Sequence, residues 1–327
     1  MTKKQIPNQR IRKRLLIPLA AVLVVLLGTF VFNTYFMYKT HSDHDIQEKL
    51  VSTKAFIDTN IQQTASLLGA TLDVISQNKS LQIALAEKDR QTLLKLSIPL
   101  FEPLVQDYNI THFYYTGPDR VNILRVHQPE RHGDKIDRFT TLQAEKSGKT
   151  SYGLELGVLG TLTLRMVSPL YNNAQLIGYV ELGREIGYTI EEISKITRLL
   201  EVELVLAIHK SHLNIDQWEE GIQMLGRDSN WDKFPYSVII GNSMDTIPEE
   251  VAAVLSEEPH NPRNIFLKID NGEQKYRGGI IPIVDVAGNY VGDYFVLHDV
   301  TFNYINMRNH ITLVSIICFA AGIILFF

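Results

Sequence analysis

From residue 41 to about residue 78 the chain has no proline and a single glycine, Gly69. Apolar residues recur at Ile46, Leu50, Ile57, Ile61, Leu68, Leu72 and Ile75, with polar residues such as Gln47, Glu48, Asp58, Gln62 and Gln63 between them. Steps of three, four and seven place the apolar set on one face of a helix. The spacing therefore predicts a long stalk helix over 38–80. Its face packs on a domain or a partner chain, or the helix acts as a lever. Residues 81–108 read as one or two shorter helices, with Asp89 starting a helical stretch that Pro99 and Pro103 are expected to end.

Beyond Tyr108 the period changes from helical to alternating. Strands are predicted over 112–116, 121–128, 150–156, 161–168 and 176–184, separated by Gly, Pro and Asn turn signals, with a helical stretch over 137–147. After a predicted linker helix over 189–201, a second series follows: strands over 202–209, 237–241, 264–269, 276–284 and 290–298, and helices over 216–225 and 248–257. The two series end alike. Ser168-Pro169-Leu170, a turn and Leu176-Ile177-Gly178 are echoed by Ile281-Pro282-Ile283, a turn and Tyr290-Val291-Gly292. Proline is expected to limit each strand end. The reading is an α+β chain with two tandem antiparallel-sheet modules, over 81–188 and 189–308.

The two ends carry apolar runs. Residues 15–37 are almost wholly apolar, long enough for a bilayer core of roughly 30 Å. Lys3, Lys4, Arg10, Arg12, Lys13 and Arg14 precede the run and only Lys39 follows it, which puts the tail 1–14 in the cytoplasm. A cleaved signal peptide would have a shorter apolar region. Residues 311–327 form a second, shorter run, read as a returning transmembrane helix cut short, or else as a re-entrant or tail segment. The sequence is thus expected to be the N-terminal part of a longer receptor, with 38–308 outside the cytoplasm.

Composition narrows the function. A net charge of −4 without a basic, aromatic-interleaved patch argues against nucleic-acid binding. The lone Cys318 rules out a disulfide framework within one chain and a cysteine-type metal site. There is no Gly-x-Ser-x-Gly elbow, no P-loop and no H-E-x-x-H, so neither an enzyme, a cofactor nor a metal site is expected. His127, Glu130, His132 and Asp134 lie close in sequence, but in a loop too irregular for a closed metal site.

Charged residues inside the apolar strands carry the candidate chemistry. Arg125 and His127 share a strand face, Arg165 sits mid-strand, and Tyr179 and Glu181 alternate on the last strand. Converging arginines would match a carboxylate or phosphate bidentately, which suggests an anionic or zwitterionic small ligand. The alternative is that Arg125 and Arg165 pair with Glu155 and Glu181 and merely hold the sheet. His127 either caps the loop after it or lines a pocket, and Asp134 fixes a turn. Tyr114, Tyr152 and Tyr179 are ligand contacts or half-buried sheet residues.

Five segments in order carry a family resemblance: Leu124-Arg125-Val126-His127-Gln128-Pro129, Gly133-Asp134, Gly153-Leu154-Glu155-Leu156-Gly157, Leu164-Arg165-Met166-Val167-Ser168-Pro169 and Ile177-Gly178-Tyr179-Val180-Glu181-Leu182-Gly183. With the layout of the whole chain, they make it resemble the double Cache extracytoplasmic sensor domain, in the variant described as the double sensory domain of two-component sensor kinases. The second module matches by architecture alone. The resemblance implies a PAS-like fold in each module, a small-molecule ligand in the membrane-distal one, and signalling through the membrane helices of a homodimer. The output would be a histidine kinase, chemoreceptor or cyclase part absent from this sequence. The aromatic and aspartate signature of the amino-acid-binding group is not evident. A membrane-anchored domain that binds a protein partner without a small ligand is the competing reading.

Overall fold

The computed structural model describes residues 8–326 apart from 158, 189–191, 194–200, 260–261 and 263–264. One helix, α1 (Asn8–Ser76), runs from the N-terminal region through the stalk without a break. Its apolar stripe serves both modules. Ala65, Leu68, Leu72 and Ile75 lie in the core of the first, and Ile57 lies in the core of the second. Asn78 caps α2 (Lys79–Ala86) by accepting from the Ser80 and Leu81 N–H groups. Asp89 caps α3 (Arg90–Tyr108) through the Thr92 N–H. Pro99 and Pro103 do not end α3 but lie inside it. Both are on its exposed side, so the carbonyls they leave unbonded face water.

The first sheet comprises β1 (Ile110–Thr116), β2 (Asn122–Arg125), β3 (Ser151–Leu156), β4 (Leu162–Asn172) and β5 (Gln175–Glu185), in the order β2-β1-β5-β4-β3. Helix α4 (Phe139–Ser147) lies between β2 and β3 in sequence. The second module repeats the order: β6 (Val202–His209), β7 (Ser237–Asn242), β8 (Phe266–Asp270), β9 (Lys275–Val284) and β10 (Tyr290–Asp299) form the sheet β7-β6-β10-β9-β8. Its helices are α5 (Ile215–Met224) and α6 (Glu249–Leu255). The tandem repeat read from a few turn residues is therefore a repeat of topology. The predicted linker helix over 189–201 lies almost wholly outside the described residues.

Pro169 and Pro282 sit within β4 and β9 rather than ending them. β3 pairs with β4 only as far as Val167, and β8 pairs with β9 only as far as Gly279. Past those points each proline strand is locally an edge, where a missing N–H costs no ladder bond. Asn173 and Ala174, both at positive φ, then make the two-residue turn into β5. β2 stops at Arg125, short of the predicted 128, and Gln128 closes a turn on the Arg125 carbonyl.

Alternation divides each sheet into two faces. In the first, Phe113, Tyr115, Leu124, Leu164, Met166, Val180 and Leu182 face α1–α3 and make the core. The opposite face carries α4 and the polar residues described below. The second sheet buries both faces, one against Ile57, Trp218 and Ile222 and the other against Val251 and Leu255.

The modules meet through close backbone approaches. A side chain at Gly221 of α5 would lie 2.2 Å from the Leu159 carbonyl, and one at Gly160 would lie 2.8 Å from the Trp218 ring. Val286 donates its N–H to the Leu154 carbonyl (2.8 Å) and fills the space over Gly153. α7 (Thr301–Phe326) follows β10, its Thr301 N–H bonded to Asp299, and lies beside the N-terminal part of α1. The expected transmembrane segments fall in α1 and α7. Among the described residues no helix is long and apolar enough to cross a membrane, and Phe327 lies outside them.

Candidate functional site

The polar face of the first sheet is organised around Tyr114, which is 5% exposed. Residues 112 and 114 project to the same side of β1, and β5 and β4 bring Glu181 and Arg165 alongside. Guanidinium carbons of Arg138, Arg125 and Arg165 lie 4.9, 5.2 and 6.0 Å from the Tyr114 ring centroid, a range in which the ring quadrupole attracts cations. His112 stacks on the same ring and His127 meets it edge-on at 4.9 Å. A cavity of about 290 Å³ opens beside this cluster, walled by Tyr114, Arg125, His127, Arg138 and Arg165 among others.

Each ion pair has a definite partner. Arg125 does not reach Glu155 or Glu181, the partners considered for it. It forks onto Asp134, with Nη1 and Nη2 each 2.7 Å from a carboxylate oxygen, and it also donates to the Arg131 carbonyl. It thereby pins the loop that follows β2. Side-chain bonding from Arg125 holds the Asp134 carboxyl below the usual range. Arg165 and Arg138 share Glu181, at 2.7 and 2.5 Å. Arg165 and Glu181 are each 2% exposed. Burial works against the Glu181 charge, but the two guanidiniums outweigh it and its pKa falls. Burial likewise opposes the Arg165 charge, and Glu181 overcomes it so that the pKa rises. Glu155 serves neither arginine directly; it accepts from the N–H and hydroxyl of Thr140 at the start of α4.

The imidazoles are neutral. Burial, then the neighbouring arginines, push His112 well down. Burial pushes His127 down to about 4, and its Nδ1 accepts from the Phe113 N–H (3.2 Å), a bond that requires this nitrogen to be unprotonated. With Nδ1 accepting, the His127 proton sits on Nε2. The Nε atoms of Arg138 and Arg165 have no hydrogen-bond partner among the described residues.

Of the residues singled out from the sequence, the structure brings Tyr114, Arg125, His127 and Arg165 to one cavity, with Glu181 directly behind it. Tyr179 does not join them. It shares the face of Glu181 but is packed between Ala144 and Val167 under α4. Tyr152 is 47% exposed and is not part of the wall. Arg138, His112, Lys135 and Met224 belong to the wall and were not anticipated. His112 was legible as the i−2 neighbour of Tyr114. Arg138 had a fainter signal, a cation at the N-terminal boundary of a helix, where the dipole disfavours positive charge. Met224 comes from α5, so only tertiary structure brings it here.

The chain belongs to the family described as the double sensory domain of two-component sensor kinases, whose model matches residues 43–233. No curated protein sequence matches the chain. Among solved structures, the periplasmic domain of Vibrio cholerae LuxQ is similar at 14% identity, covering 76% of this chain and 99% of that one with a TM-score of 0.47. The sensor domain of the V. cholerae histidine kinase DctB is 13% identical over 78% of this chain and 98% of that one, with a TM-score of 0.39. The ligand-binding domain of the Pseudomonas aeruginosa PAO1 amino acid chemoreceptor PctC, solved with GABA, is 11% identical over 79% of this chain and 100% of that one, with a TM-score of 0.38.

Proposed function

We propose that the chain is the ligand-sensing region of a bacterial membrane receptor, and that a small anionic or zwitterionic molecule binds in the Tyr114 cavity. The observation that carries this reading is the convergence of Arg125, Arg138 and Arg165 on one buried ring beside a cavity of about 290 Å³. Structural ion pairing does not by itself require such a cavity. The site residues are Arg125, His127, Arg138, Arg165 and Tyr114, with Glu181 orienting two of the arginines.

The first module is the membrane-distal one and the second the membrane-proximal one. α1 and α7 anchor the chain, with the basic tail on the cytoplasmic side and the modules outside. Exposed apolar residues along both helices, such as Val24, Phe32, Ile316 and Phe319, support this placement. Because α1 packs in both cores, it links the cavity's module to the anchor. A ligand biases the packing of α1 in a homodimer only to the extent that it prefers one state. A thermal-shift screen of the full chain in detergent, against carboxylates, amino acids, amines and phosphate, tests the reading. A hit raises the melting temperature by mass action. It is expected to vanish in Arg165→Met and to survive in Tyr152→Ala. A hit that persists in Arg165→Met would place the ligand elsewhere.

A further inference from the structure

The wall of the cavity is short of free anions. Asp134 is held by both arms of Arg125, Asp137 by Arg120, and Glu181 by Arg138 and Arg165 together. Glu155 caps α4 through Thr140, and Glu220, beyond the rim, stands 3.9 Å from Arg131. Both carboxylates on the wall, Asp134 and Asp137, are therefore already engaged, as is Glu181 behind it. Donors, by contrast, are left over. Two guanidiniums on the wall, Arg138 and Arg165, share the single Glu181. Lys135 lies exposed on the wall. The His127 ring accepts from Phe113 at Nδ1 and so presents an N–H from its other nitrogen.

An ammonium group needs acceptors, and a buried one needs an anion or several oxygens to replace its water. A carboxylate or phosphate needs the donors that this wall has in excess. Resting on the proposed site, we infer that the ligand is a compact anion without an amino group, and that the cavity discriminates against the zwitterionic counterpart of the same shape. A volume of about 290 Å³ is roughly that of ten water molecules, which limits the occupant to a small carboxylate or phosphate compound.

The test pairs probes that differ by one ammonium: glutarate against glutamate, with inorganic phosphate as a third probe, titrated calorimetrically into the full chain in detergent. Glutarate or phosphate is expected to bind at least tenfold more tightly than glutamate. Lys135→Gln changes an exposed side chain and spares the fold; it is expected to weaken the anion on the order of tenfold, the worth of one charge-assisted contact. Glutamate binding as tightly as glutarate, with both weakened in Lys135→Gln, overturns the ligand class and leaves the site standing. Glutarate binding that is indifferent to both Lys135→Gln and Arg165→Met overturns the site. Failure of all three probes to bind overturns the inference of a compact anion.

Discussion

Glu181→Gln is the perturbation that most directly tests the electrostatics of the cavity wall. Glu181 and Arg165 are each 2% exposed, and Arg138 shares the same carboxylate from α4's boundary. Glutamine keeps the shape and one acceptor oxygen but removes the carboxylate charge that is bonded to both guanidiniums. Removing one partner from a buried pair costs about 3–5 kcal/mol, because the remaining charge stays desolvated. The amide oxygen still accepts from one arginine, so a loss of about 3 kcal/mol is expected in urea unfolding of the full chain at neutral pH. A second variant makes the result specific. Adding Arg138→Met removes the surplus cation, and the double variant is expected to recover about 1–2 kcal/mol relative to the sum of the single losses, as coupled neighbours do. A single-variant loss below about 1 kcal/mol, or strict additivity in the double, would refute the shared-carboxylate account.

Other perturbations follow from the same geometry. His127 has a folded pKa of about 4 against an ordinary 6.5, so the unfolded chain binds more protons between those values and stability falls as pH drops from 6.5 to 4. Burial raises Glu185 from 4.5 to about 7, which acts with the opposite sign between those pH values. The informative measurement is therefore the difference between wild type and His127→Gln, in which about 3 kcal/mol of acid sensitivity is expected to disappear; an unchanged pH profile would show that His127 is not held neutral. Tyr114→Leu is expected to abolish detectable ligand binding while Tyr152→Ala leaves it within twofold, read by calorimetry; equal effects would contradict the placement of the two rings. Gly221→Ala would put a methyl group 2.2 Å from the Leu159 carbonyl, and is expected to cost about 1–3 kcal/mol and to raise hydrogen exchange in the β3–β4 turn and α5. Unchanged exchange there would mean that the modules are not packed through this contact.

Much of the architecture is legible along the chain because periodicity is local. The stalk helix shows its stripe every three to four residues, and the strands show theirs every second residue. The order of strands and helices follows from those periods with turn residues between. The echo around Pro169 and Pro282 revealed the doubling. What proline does there was not legible, because whether a strand tolerates it depends on how far its neighbour extends, and that neighbour comes from another part of the chain. The same holds for Pro99 and Pro103, whose cost depends on which side of α3 faces water.

The site divides along the same line. Residue types and strand parity identified Arg125, His127, Arg165 and Glu181 as charges that need a reason to be inside a sheet. Parity also nominated Tyr179, since it names a face but not a position along it, whereas Tyr152 was named by residue type and pairs with Met166, on the other face of the sheet. Which acid answers which base is a matter of strand order and loop path. The strand order β2-β1-β5-β4-β3 sets Arg165 beside Glu181, and the loop after β2 brings Asp134 to Arg125. Arg138 enters from a helix boundary and Met224 from the other module. By itself the sequence determined the periodic elements, their doubling and the presence of buried charge. Tertiary structure decided the pairing of those charges and the cavity between them, because ion pairing acts over a few ångströms across segments far apart in the chain.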